Sequence, residues 1–377
     1  MPELPALSPE EIRRYARHLS VPGVGEQGQR KLKASSVLMI GTGGLGSPAA
    51  LYLAAAGVGR IGLIDPDTVD RSNLQRQILH GESWVGKPKL ESAAARLREV
   101  NPHVELDLLP VRFTPENAME LVSRYDVVLD GCDNFPTRFL SNDACFFLKK
   151  PCVYGSIFRF DGQVTVFAPH LGGPCYRCML PSLPAPGAAP SCEEAGVLGV
   201  LPGVIGSLQA METIKLLLGI GDPPLGKLLC YDALATTFRN LRLRRDPACR
   251  LCGDAPSIDT VMNPETNASA SCSVPATDVP AISAGDLAAR IDAGEGPFVL
   301  DVRQPEEEAE GVIPGARMIP LPELPERLAE IPADREIFVH CRSGGRSSRA
   351  VKLLREAGIS GAVNITGGIN AWNALER

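Results

Sequence analysis

A glycine-rich segment between two apolar runs constrains the fold of this chain more than any other feature. Residues 41–46, GTGGLG, follow the apolar run 36–41 and precede an Ala- and Leu-rich stretch, and a second apolar run, 61–65, ends in Asp65. Glycines at such a point allow a tight turn and a close approach of the backbone to a phosphate at a helix N-terminus. The pattern predicts a strand, a helix and a strand in succession. Continued downstream, the alternation predicts an α/β fold with a doubly wound, mostly parallel sheet.

The glycine-rich segment suits two kinds of nucleotide. Asp65, 19 residues after Gly46, can bind a ribose hydroxyl, which favours NAD or FAD. The segment has no lysine of the kind that binds phosphate in a Walker loop. Polar residues further along favour ATP instead, because Arg76 and Lys89 can neutralise a triphosphate and Asp133 can supply an oxygen ligand to Mg²⁺.

Five motifs within residues 8–253 resemble those of the MoeB/ThiF family of E1-like enzymes: RYARH, GTGGLGS, DPDTVDRSNLQRQ, DGCDN and CYRC. The resemblance implies a Rossmann-like domain that uses ATP and Mg²⁺ to adenylate the C-terminal Gly-Gly of a small ubiquitin-like sulfur carrier. The ATP-binding residues that it implies are Arg17, Gly44, Asp65, Ser72, Asn73, Arg76, Lys89, Asp133 and Asn134. Arg17 is implied to come from the other subunit of a homodimer. Arg76 and Asp133 are implied to be catalytic, with Asp133 as the Mg²⁺ ligand and Asp130 as the alternative.

Composition argues against some classes of partner. The net charge is −6, whereas binding to nucleic acid needs a surplus of lysine and arginine. The sequence has no run of about 18 apolar residues that would predict a membrane span, and its acidic N-terminus lacks the pattern of a signal peptide. We therefore expect a cytoplasmic protein with no nucleic-acid or membrane partner. In a reducing compartment, the eleven cysteines are expected to bind metal or catalyse rather than to form disulfides.

Two C-x-x-C pairs predict a zinc site. Cys175 and Cys178 form one pair, and Cys249 and Cys252 form the other. Four thiolates complete a tetrahedral Zn²⁺ site without an open position, so the predicted site is structural. The alternative is a redox pair, which would not need the second C-x-x-C.

Cys192 lies in a stretch rich in Pro, Ala and Gly, PGAAPSCEEAG. Taken alone, a cysteine in such a stretch is more often a bystander. The MoeB/ThiF family carries a cysteine in this loop, so the resemblance implies that Cys192 attacks the activated carrier or becomes linked to it. Cys192 is therefore a candidate catalytic residue.

The composition changes after residue 253. Residues 254–279 are rich in Pro, Ser, Ala, Thr and Asp, which predicts a linker between domain 1–253 and domain 280–377. The alternation of strands and helices restarts in the second, smaller α/β domain. Its loop Cys341, Arg342, Ser343, Gly344, Gly345, Arg346 follows an apolar strand and leads into a helix. Backbone N–H groups of such a loop lower the pKa of a cysteine and bind an anionic sulfur, and the two arginines are expected to add positive charge.

The size of this loop separates two chemistries. Protein phosphatases of the His-Cys type have one more residue between the cysteine and the arginine, so the shorter loop favours sulfur over phosphate. The motifs CRSGGRS, LDVRQPEE, IPGA and GGINAW resemble the rhodanese family, which implies that Cys341 carries a persulfide. Val312 stands where that family usually has histidine, and we expect different local hydrogen bonds there. Asp301 and Arg303 are expected to be structural.

The two halves together predict a fused adenylyltransferase and sulfurtransferase. It would activate the carrier and then transfer sulfur from a Cys341 persulfide, filled by a cysteine desulfurase or thiosulfate, to form the carrier thiocarboxylate. The carrier is left open among the molybdopterin, thiamine, tRNA-thiolation and cysteine pathways. Two other classes remain: an NAD-dependent oxidoreductase with an accessory domain, and a regulatory module whose second domain senses anions or redox state.

Overall fold

Two β-sheets organise the chain, one in each of two structural units. The computed structural model describes residues 3–184, 196–262, 279–342 and 344–375. The larger unit is described at residues 3–183 and 196–262, and the smaller one at residues 279–342 and 344–375. The domain boundaries predicted from composition stay predictions, since the linker centre lies outside the described residues.

The sheet of the larger unit has eight strands in the order β3-β2-β1-β4-β5-β6-β7-β8. Its strands are β1 Ser36–Ile40, β2 Arg60–Ile64, β3 Glu105–Leu109, β4 Val127–Asp130, β5 Cys152–Phe158, β6 Asp161–Phe167, β7 Lys227–Asp232 and β8 Thr237–Arg242. The first five strands are parallel to one another, and β6, β7 and β8 each pair antiparallel with the strand before them. Strand β1 pairs with β2 on one side and β4 on the other, so the strand order reverses there. Ligands bind at the carboxyl ends of strands at such a reversal. The predicted doubly wound, mostly parallel sheet is confirmed.

Helices cover both faces of this sheet. They are α1 Pro9–Arg14, α2 Ala16–Leu19, α3 Gly25–Ala34, α4 Gly46–Ala56, α5 Lys89–Val100, α6 Pro115–Ser123, α7 Phe135–Phe147, α8 Tyr176–Met179 and α9 Val200–Leu218. Helix α1 begins with a capping box: the Glu11 N–H donates to Ser8 Oγ at 3.2 Å, and the Ser8 N–H donates to Glu11 Oε2 at 2.6 Å. Capping satisfies N–H groups that a helix start leaves without partners.

The central strand feeds two hydrophobic cores. All five residues of β1 are buried. Val37 and Met39 pack into the core that contains α4 and α5, while Leu38 and Ile40 pack into the core that contains α6 and α7. Successive side chains of a strand point to opposite faces, so a strand buried on both faces is an unbroken apolar run. This explains why the run before the glycine-rich segment lacks polar alternation.

Strands β5 and β6 pair antiparallel and form a hairpin. Phe158 pairs with Asp161, so the turn is made by Arg159 and Phe160, and Asp161 and Gly162 belong to β6. Arg159 has a positive φ of 53°. An Asp-Gly pair is typical of a two-residue hairpin turn, but here it lies two positions after the turn, because the register of the strands decides where the turn falls.

Strand β8 is the edge of the large sheet, and all six of its residues are exposed. It pairs with β7 in an antiparallel register that places Arg239 opposite Cys230 and Arg242 opposite Lys227. Its apolar residues Phe238 and Leu241 are about half exposed. The strand is thus covered on neither face within the part of the unit that the structure describes.

The smaller unit has a five-stranded parallel sheet in the order β11-β10-β12-β13-β9. Its elements are β9 Ala281–Ser283, α10 Ala284–Asp292, β10 Phe298–Asp301, β11 Arg317–Met318, β12 Ile337–His340, α11 Gly345–Glu356, β13 Ala362–Thr366 and α12 Gly368–Asn373. Ser283 caps α10 by accepting a hydrogen bond from the Asp286 N–H at 3.1 Å. Gly358, with φ at 93°, follows the end of α11. The predicted second, smaller α/β domain is confirmed.

Two observations concern segments outside the sheets. Ile258, within the segment predicted as linker, is buried in a cluster with Leu251, Cys175, Cys249 and Cys252. Its backbone N–H donates to the Arg250 carbonyl at 2.9 Å. Among the helices described, none combines the length and the apolar character needed to cross a bilayer.

Candidate functional site

A cavity of about 530 Å³ opens at the carboxyl ends of the parallel strands in the larger unit. It lies where the strand order reverses between β2 and β4, as expected for a ligand crevice in an open α/β sheet. Six of the predicted ATP-binding residues line it: Gly44, Asp65, Arg76, Lys89, Asp133 and Asn134. These come from five separate stretches of sequence, so the fold brings together side chains that only the motif pattern had connected.

The glycine-rich segment forms the turn from β1 into α4 at the cavity wall. Gly41 has a φ of 93°, a conformation that favours glycine. A Cβ on Gly46 would clash with the carbonyl oxygen of Gly41, so the turn closes tightly only with glycine at that position. Gly43 and Gly44 line the cavity itself. The backbone can therefore approach a ligand as closely as the sequence predicted.

Asp65, at the end of β2, anchors this turn. Its Oδ2 accepts hydrogen bonds from the Thr42 N–H at 2.9 Å and from Thr42 Oγ1 at 2.8 Å. Its Oδ1 accepts the Asp67 N–H at 3.1 Å and lies 3.8 Å from Lys89 Nζ. The carboxylate therefore holds the glycine turn and a cation together in the folded protein. Its contact with a ribose hydroxyl stays a prediction.

Lys89 and Arg76, the two predicted phosphate-binding cations of the cavity, are both hydrogen-bonded within the protein. Lys89 Nζ donates to Asp67 Oδ2 at 3.0 Å, and this carboxylate is 60% exposed. Arg76 is half-buried, and its Nη1 donates to the Ser72 carbonyl at 3.2 Å. Lys89 and Arg76 each have further N–H groups that these contacts do not use. Phosphate oxygens can accept hydrogen bonds from them, as the predicted role requires.

Three predicted ATP-binding residues do not line the cavity in the part of the chain that is described. Ser72 is exposed, and its N–H and hydroxyl both donate to Asp70 Oδ1, at 2.7 and 2.6 Å. Asn73 Nδ2 donates to Ser72 Oγ at 3.2 Å. Arg17 lies exposed on α2. The cavity of one chain therefore forms without these three side chains.

The two carboxylates of the DGCDN motif have different surroundings. Asp130 is 1% exposed, its oxygens accept from the Cys132 N–H at 3.0 Å and from Ser141 Oγ at 3.2 Å, and burial raises its pKa. Asp133 is exposed and lines the cavity. Mg²⁺ is commonly held by one or two carboxylates together with substrate phosphates. Asp133 fits that arrangement, whereas the oxygens of Asp130 are already used within the protein.

Asn134 has a structural role as well as a place at the cavity. Its Oδ1 accepts the Thr137 N–H at 3.0 Å, which caps the N-terminus of α7. The helix therefore starts at the cavity wall, with its positive end next to the position expected for phosphate.

Sequence reasoning missed one buried residue that lines the cavity and another that contacts its glycine turn. Arg138 is 8% exposed and lines the cavity, where it donates to Ser156 Oγ and to the Cys132 carbonyl, both at 3.2 Å. His80 lies 3.2 Å from the carbonyl oxygen of Thr42, and burial lowers its pKa, so the ring is neutral. The signal for Arg138 was its position in the first turn of a helix that follows a strand end.

The four cysteines predicted to bind zinc lie together in the larger unit. Their ligand atoms all lie within 4.8 Å of one another. The Sγ–Sγ distances are 3.8 Å for Cys175–Cys178, 3.5 Å for Cys175–Cys249 and 3.3 Å for Cys178–Cys252. Tetrahedral Zn²⁺ with Zn–S bonds of about 2.3 Å places sulfurs about 3.8 Å apart. The cluster therefore fits a structural Zn²⁺ with no open position.

A buried ion pair joins this cluster to the cavity wall. Arg177, between Cys175 and Cys178, donates from Nε and Nη2 to the two oxygens of Asp143 on α7, at 2.8 and 2.6 Å. Asn142 Oδ1 accepts the N–H of Tyr176 at 2.7 Å. The segment that contains Cys175 and Cys178 is thereby fixed to α7, the helix that begins at the cavity.

In the smaller unit, Cys341 directly follows a strand and lies close to the start of a helix. Cys341 is fully buried at the end of β12. Its Sγ accepts the Gly344 N–H at 3.2 Å and the Ser347 hydroxyl at 3.4 Å. Gly344 has a φ of 100° and precedes α11. The sulfur therefore lies at a helix N-terminus among donors that stabilise a thiolate or a persulfide.

The arginine that ends this loop is paired, which the sequence did not reveal. Arg346 Nη1 and Nη2 donate to the two oxygens of Glu307, both at 2.6 Å. The expected positive charge of Arg346 is therefore balanced by a carboxylate. Arg342 is exposed, and Ser343 lies outside the described residues.

Asp301 and Arg303 form a buried pair behind the loop. Arg303 is 0% exposed and donates to both oxygens of Asp301, while its Nη2 donates to the Gly311 carbonyl at 2.9 Å. This last bond holds the backbone directly before Val312, which is 47% exposed. Both residues thus have the structural contacts expected of them. Cys192 lies outside the described residues.

Comparison with known proteins gives a match for each unit. The model described as the ThiF family matches residues 15–251, and the model described as the rhodanese-like domain matches residues 283–375. The chain is 44% identical to "Probable adenylyltransferase/sulfurtransferase MoeZ" of Mycobacterium tuberculosis, over 97% of this chain and 94% of that protein. It is 42% identical to "Adenylyltransferase and sulfurtransferase MOCS3-1" of Zea mays, over 97% of this chain and 82% of that one.

Two further matches cover the larger unit. "Sulfur carrier protein adenylyltransferase" of Thermus thermophilus is 54% identical over 66% of this chain and 93% of its own length. The crystal structure of MccB from E. coli aligns with a TM-score of 0.56 and 23% identity, over 64% of this chain and 73% of that one. At this identity, the structural match establishes the fold alone.

Proposed function

Because this chain belongs to the ThiF family and joins that domain to a rhodanese-like domain, we propose that it activates a sulfur-carrier protein with ATP and then delivers sulfur to it. The carrier is a small ubiquitin-like protein that ends in Gly-Gly. The observation that carries the proposal is the pairing, in one chain, of a cavity lined by Arg76, Lys89 and Asp133 with a buried cysteine at a helix N-terminus. The names of the relatives that span both units describe the same two activities.

The first step is adenylation in the larger unit. The carboxylate of the carrier's terminal glycine attacks the α-phosphorus of ATP, a C–O–P linkage forms, and pyrophosphate leaves with the electron pair of the broken bond. Lys89 and Arg76 bind phosphate oxygens and offset the charge that develops on them. Asp133 would hold Mg²⁺, which supplies further charge neutralisation when bound. Asp65 keeps the glycine turn in place during this step.

The second step loads sulfur in the smaller unit. The Cys341 thiolate attacks the sulfane sulfur of a donor, such as a cysteine desulfurase persulfide or thiosulfate. A new S–S bond forms at Cys341, and the donor leaves as a thiolate or as sulfite. The Gly344 N–H and the Ser347 hydroxyl, which donate to Sγ, stabilise the anion before and after transfer.

The third step joins the two products. The terminal sulfur of the persulfide attacks the acyl carbon of the adenylate, a C–S bond forms, and AMP leaves. A thiol then attacks Cys341 Sγ in the resulting acyl disulfide and releases the carrier thiocarboxylate. Cys192 is the proposed thiol, and an external dithiol reduces the disulfide that this leaves between the two cysteines.

The assembly and location are part of the proposal. Arg17, exposed on α2 and outside the cavity, is proposed to reach the cavity of a second copy in a homodimer. The nine cysteines described are all free of disulfides, which is consistent with a reducing cytoplasm. The zinc cluster is proposed to be structural, with all four positions taken by Cys175, Cys178, Cys249 and Cys252.

Two variants test the division of labour. Arg76→Ala should abolish ATP–pyrophosphate exchange stimulated by a carrier and leave sulfur uptake by Cys341 unchanged. Cys341→Ala should keep the exchange and lose carrier thiocarboxylation, measured as the mass increase when sulfur replaces oxygen. Thiocarboxylation that persists in Cys341→Ala would contradict the proposal, and so would loss of both activities in either variant.

A further inference from the structure

Glu307 accepts hydrogen bonds in addition to those of its ion pair with Arg346. Its Oε2 accepts the Gln304 N–H at 2.9 Å as part of a capping box, in addition to Arg346 Nη1 at 2.6 Å. Its carbonyl oxygen accepts a hydrogen bond from Arg303 Nη1 at 2.9 Å. Arg303 is in turn fixed by both oxygens of Asp301. The position of the Glu307 carboxylate is therefore set by the protein whether or not a ligand is bound.

Arg346, one half of this pair, ends the loop that begins with the reactive sulfur of Cys341. Arg346 directly precedes Ser347, whose hydroxyl is 3.4 Å from Cys341 Sγ. The two side chains of the pair are 17% and 22% exposed, so solvent screens them only in part. The arginine also lowers the pKa of Glu307, which is therefore ionised at neutral pH.

This pairing affects which sulfur donors the loop can attract. An arginine without a carboxylate partner would draw a dianion such as thiosulfate towards Cys341, since charge-assisted hydrogen bonds to an anion are strong. With both of its terminal nitrogens bound to Glu307, Arg346 adds little net charge at the sulfur. A persulfide carries at most one negative charge on its terminal sulfur. Neutralisation of Arg346 by Glu307 therefore weakens the attraction of a persulfide to the loop less than that of thiosulfate.

We propose that Glu307 is a specificity-determining residue that weakens the use of dianionic donors and leaves Cys341 suited to a persulfide donor. The inference rests on the proposed function of Cys341 and adds the class of its sulfur donor. Chemically, both donors undergo the same exchange at their sulfane sulfur. Thiosulfate releases sulfite and a persulfide releases a thiolate, so the two donors differ in charge as well as in leaving group.

The test compares two donors on the full-length protein. Sulfur uptake by Cys341 is followed by intact-protein mass spectrometry, with thiosulfate and with cysteine persulfide, whose ammonium group offsets its carboxylate. Glu307→Gln should raise kcat/KM for thiosulfate about tenfold, mainly through KM, and change that for the persulfide by less than about twofold. Glu308→Gln is the matched control, because it removes the same charge from an exposed side chain in the same turn. It should leave the ratio of the two donors unchanged.

Two further variants separate charge from folding. Glu307→Asp keeps the negative charge and should keep the wild-type donor ratio. The double variant Glu307→Gln with Arg346→Gln restores a neutral pair and should return the ratio towards wild type. The inference is overturned if Glu307→Gln and Glu307→Asp both take up sulfur more slowly from the two donors by the same factor. It is also overturned if the ratio of the two donors in Glu307→Gln equals that in Glu308→Gln. A wild-type Cys341 that takes up sulfur from neither donor would instead refute the proposed function.

Discussion

The buried pair between Arg177 and Asp143 should be a main support of the larger unit, and Asp143→Ala tests this. The side chains are 4% and 1% exposed, and two hydrogen bonds of 2.8 and 2.6 Å join them. Removing the carboxylate leaves a guanidinium buried without a counter-charge. It also leaves Asn142 Nδ2 without the acceptor that it has at 3.0 Å.

The expected loss can be worked from these contacts. Breaking a buried ion pair by removing one partner costs about 3–5 kcal/mol. The lost hydrogen bond from Asn142 adds about 1 kcal/mol. A total of about 4–6 kcal/mol is a large share of the roughly 5–15 kcal/mol that stabilises a typical protein. Because Arg177 lies between two zinc-site cysteines, Asp143→Ala should also release zinc more readily to a chelator.

Denaturant unfolding provides the measurement. The chain has two tryptophans, of which Trp84 belongs to the larger unit and Trp372 to the smaller one. In a Trp372→Phe background, fluorescence therefore follows the larger unit alone. The double variant Asp143→Leu with Arg177→Met removes both charges and should recover most of the loss, because no buried charge remains unpaired. A loss below about 1 kcal/mol in Asp143→Ala, or a double variant no more stable than that single one, would refute the reasoning.

Three other predictions concern the metal, pH and the Cys341 loop. Purified protein should contain about one zinc ion per chain, and Cys252→Ser should lower both the zinc content and the Tm of the larger unit; full zinc retention would argue against the site. The pKa of Glu307 is lowered from 4.5, so its ion pair stabilises the smaller unit above that pH and ceases to do so as the pH falls through the lowered pKa. The Tm difference between wild type and Glu307→Gln should therefore shrink in acid, and growth of that difference would contradict the assignment. A Cβ on Gly368 would clash with the Cys341 carbonyl, so Gly368→Ala should impair sulfur uptake while pyrophosphate exchange persists. Gly294→Ala, at a similar positive φ of 77° with open space around it, is the control and should keep sulfur uptake.

The features that the sequence predicted well are local in the chain. The glycine turn between β1 and α4 depends on glycines within six residues, and the Cys341 loop depends on a strand, a loop and a helix in direct succession. Both C-x-x-C pairs were recognisable because each fixes half of a tetrahedron by its own spacing. Only the meeting of the two halves, 74 residues apart, needed the fold.

The features that the sequence did not reveal are contacts between distant residues. Glu307 and Arg346 are 39 residues apart, and Asp143 and Arg177 are 34 apart. Several acidic residues surround Glu307 in the sequence, so nothing local indicated which one would face the arginine. Arg138 was missed for a related reason: Ser156, to which it donates a hydrogen bond, lies 18 residues further along the chain.

The exposed edge strand β8 affects the tendency of this protein to aggregate. An edge strand offers free backbone N–H and C=O groups, and an apolar one is a template for joining sheets from separate molecules. Phe238 and Leu241 would favour such joining, but Arg239 and Arg242 alternate with them along the same edge. Two identical edges brought together would place like charges against each other. The arginines of β8 thus act as gatekeepers against aggregation through sheet extension.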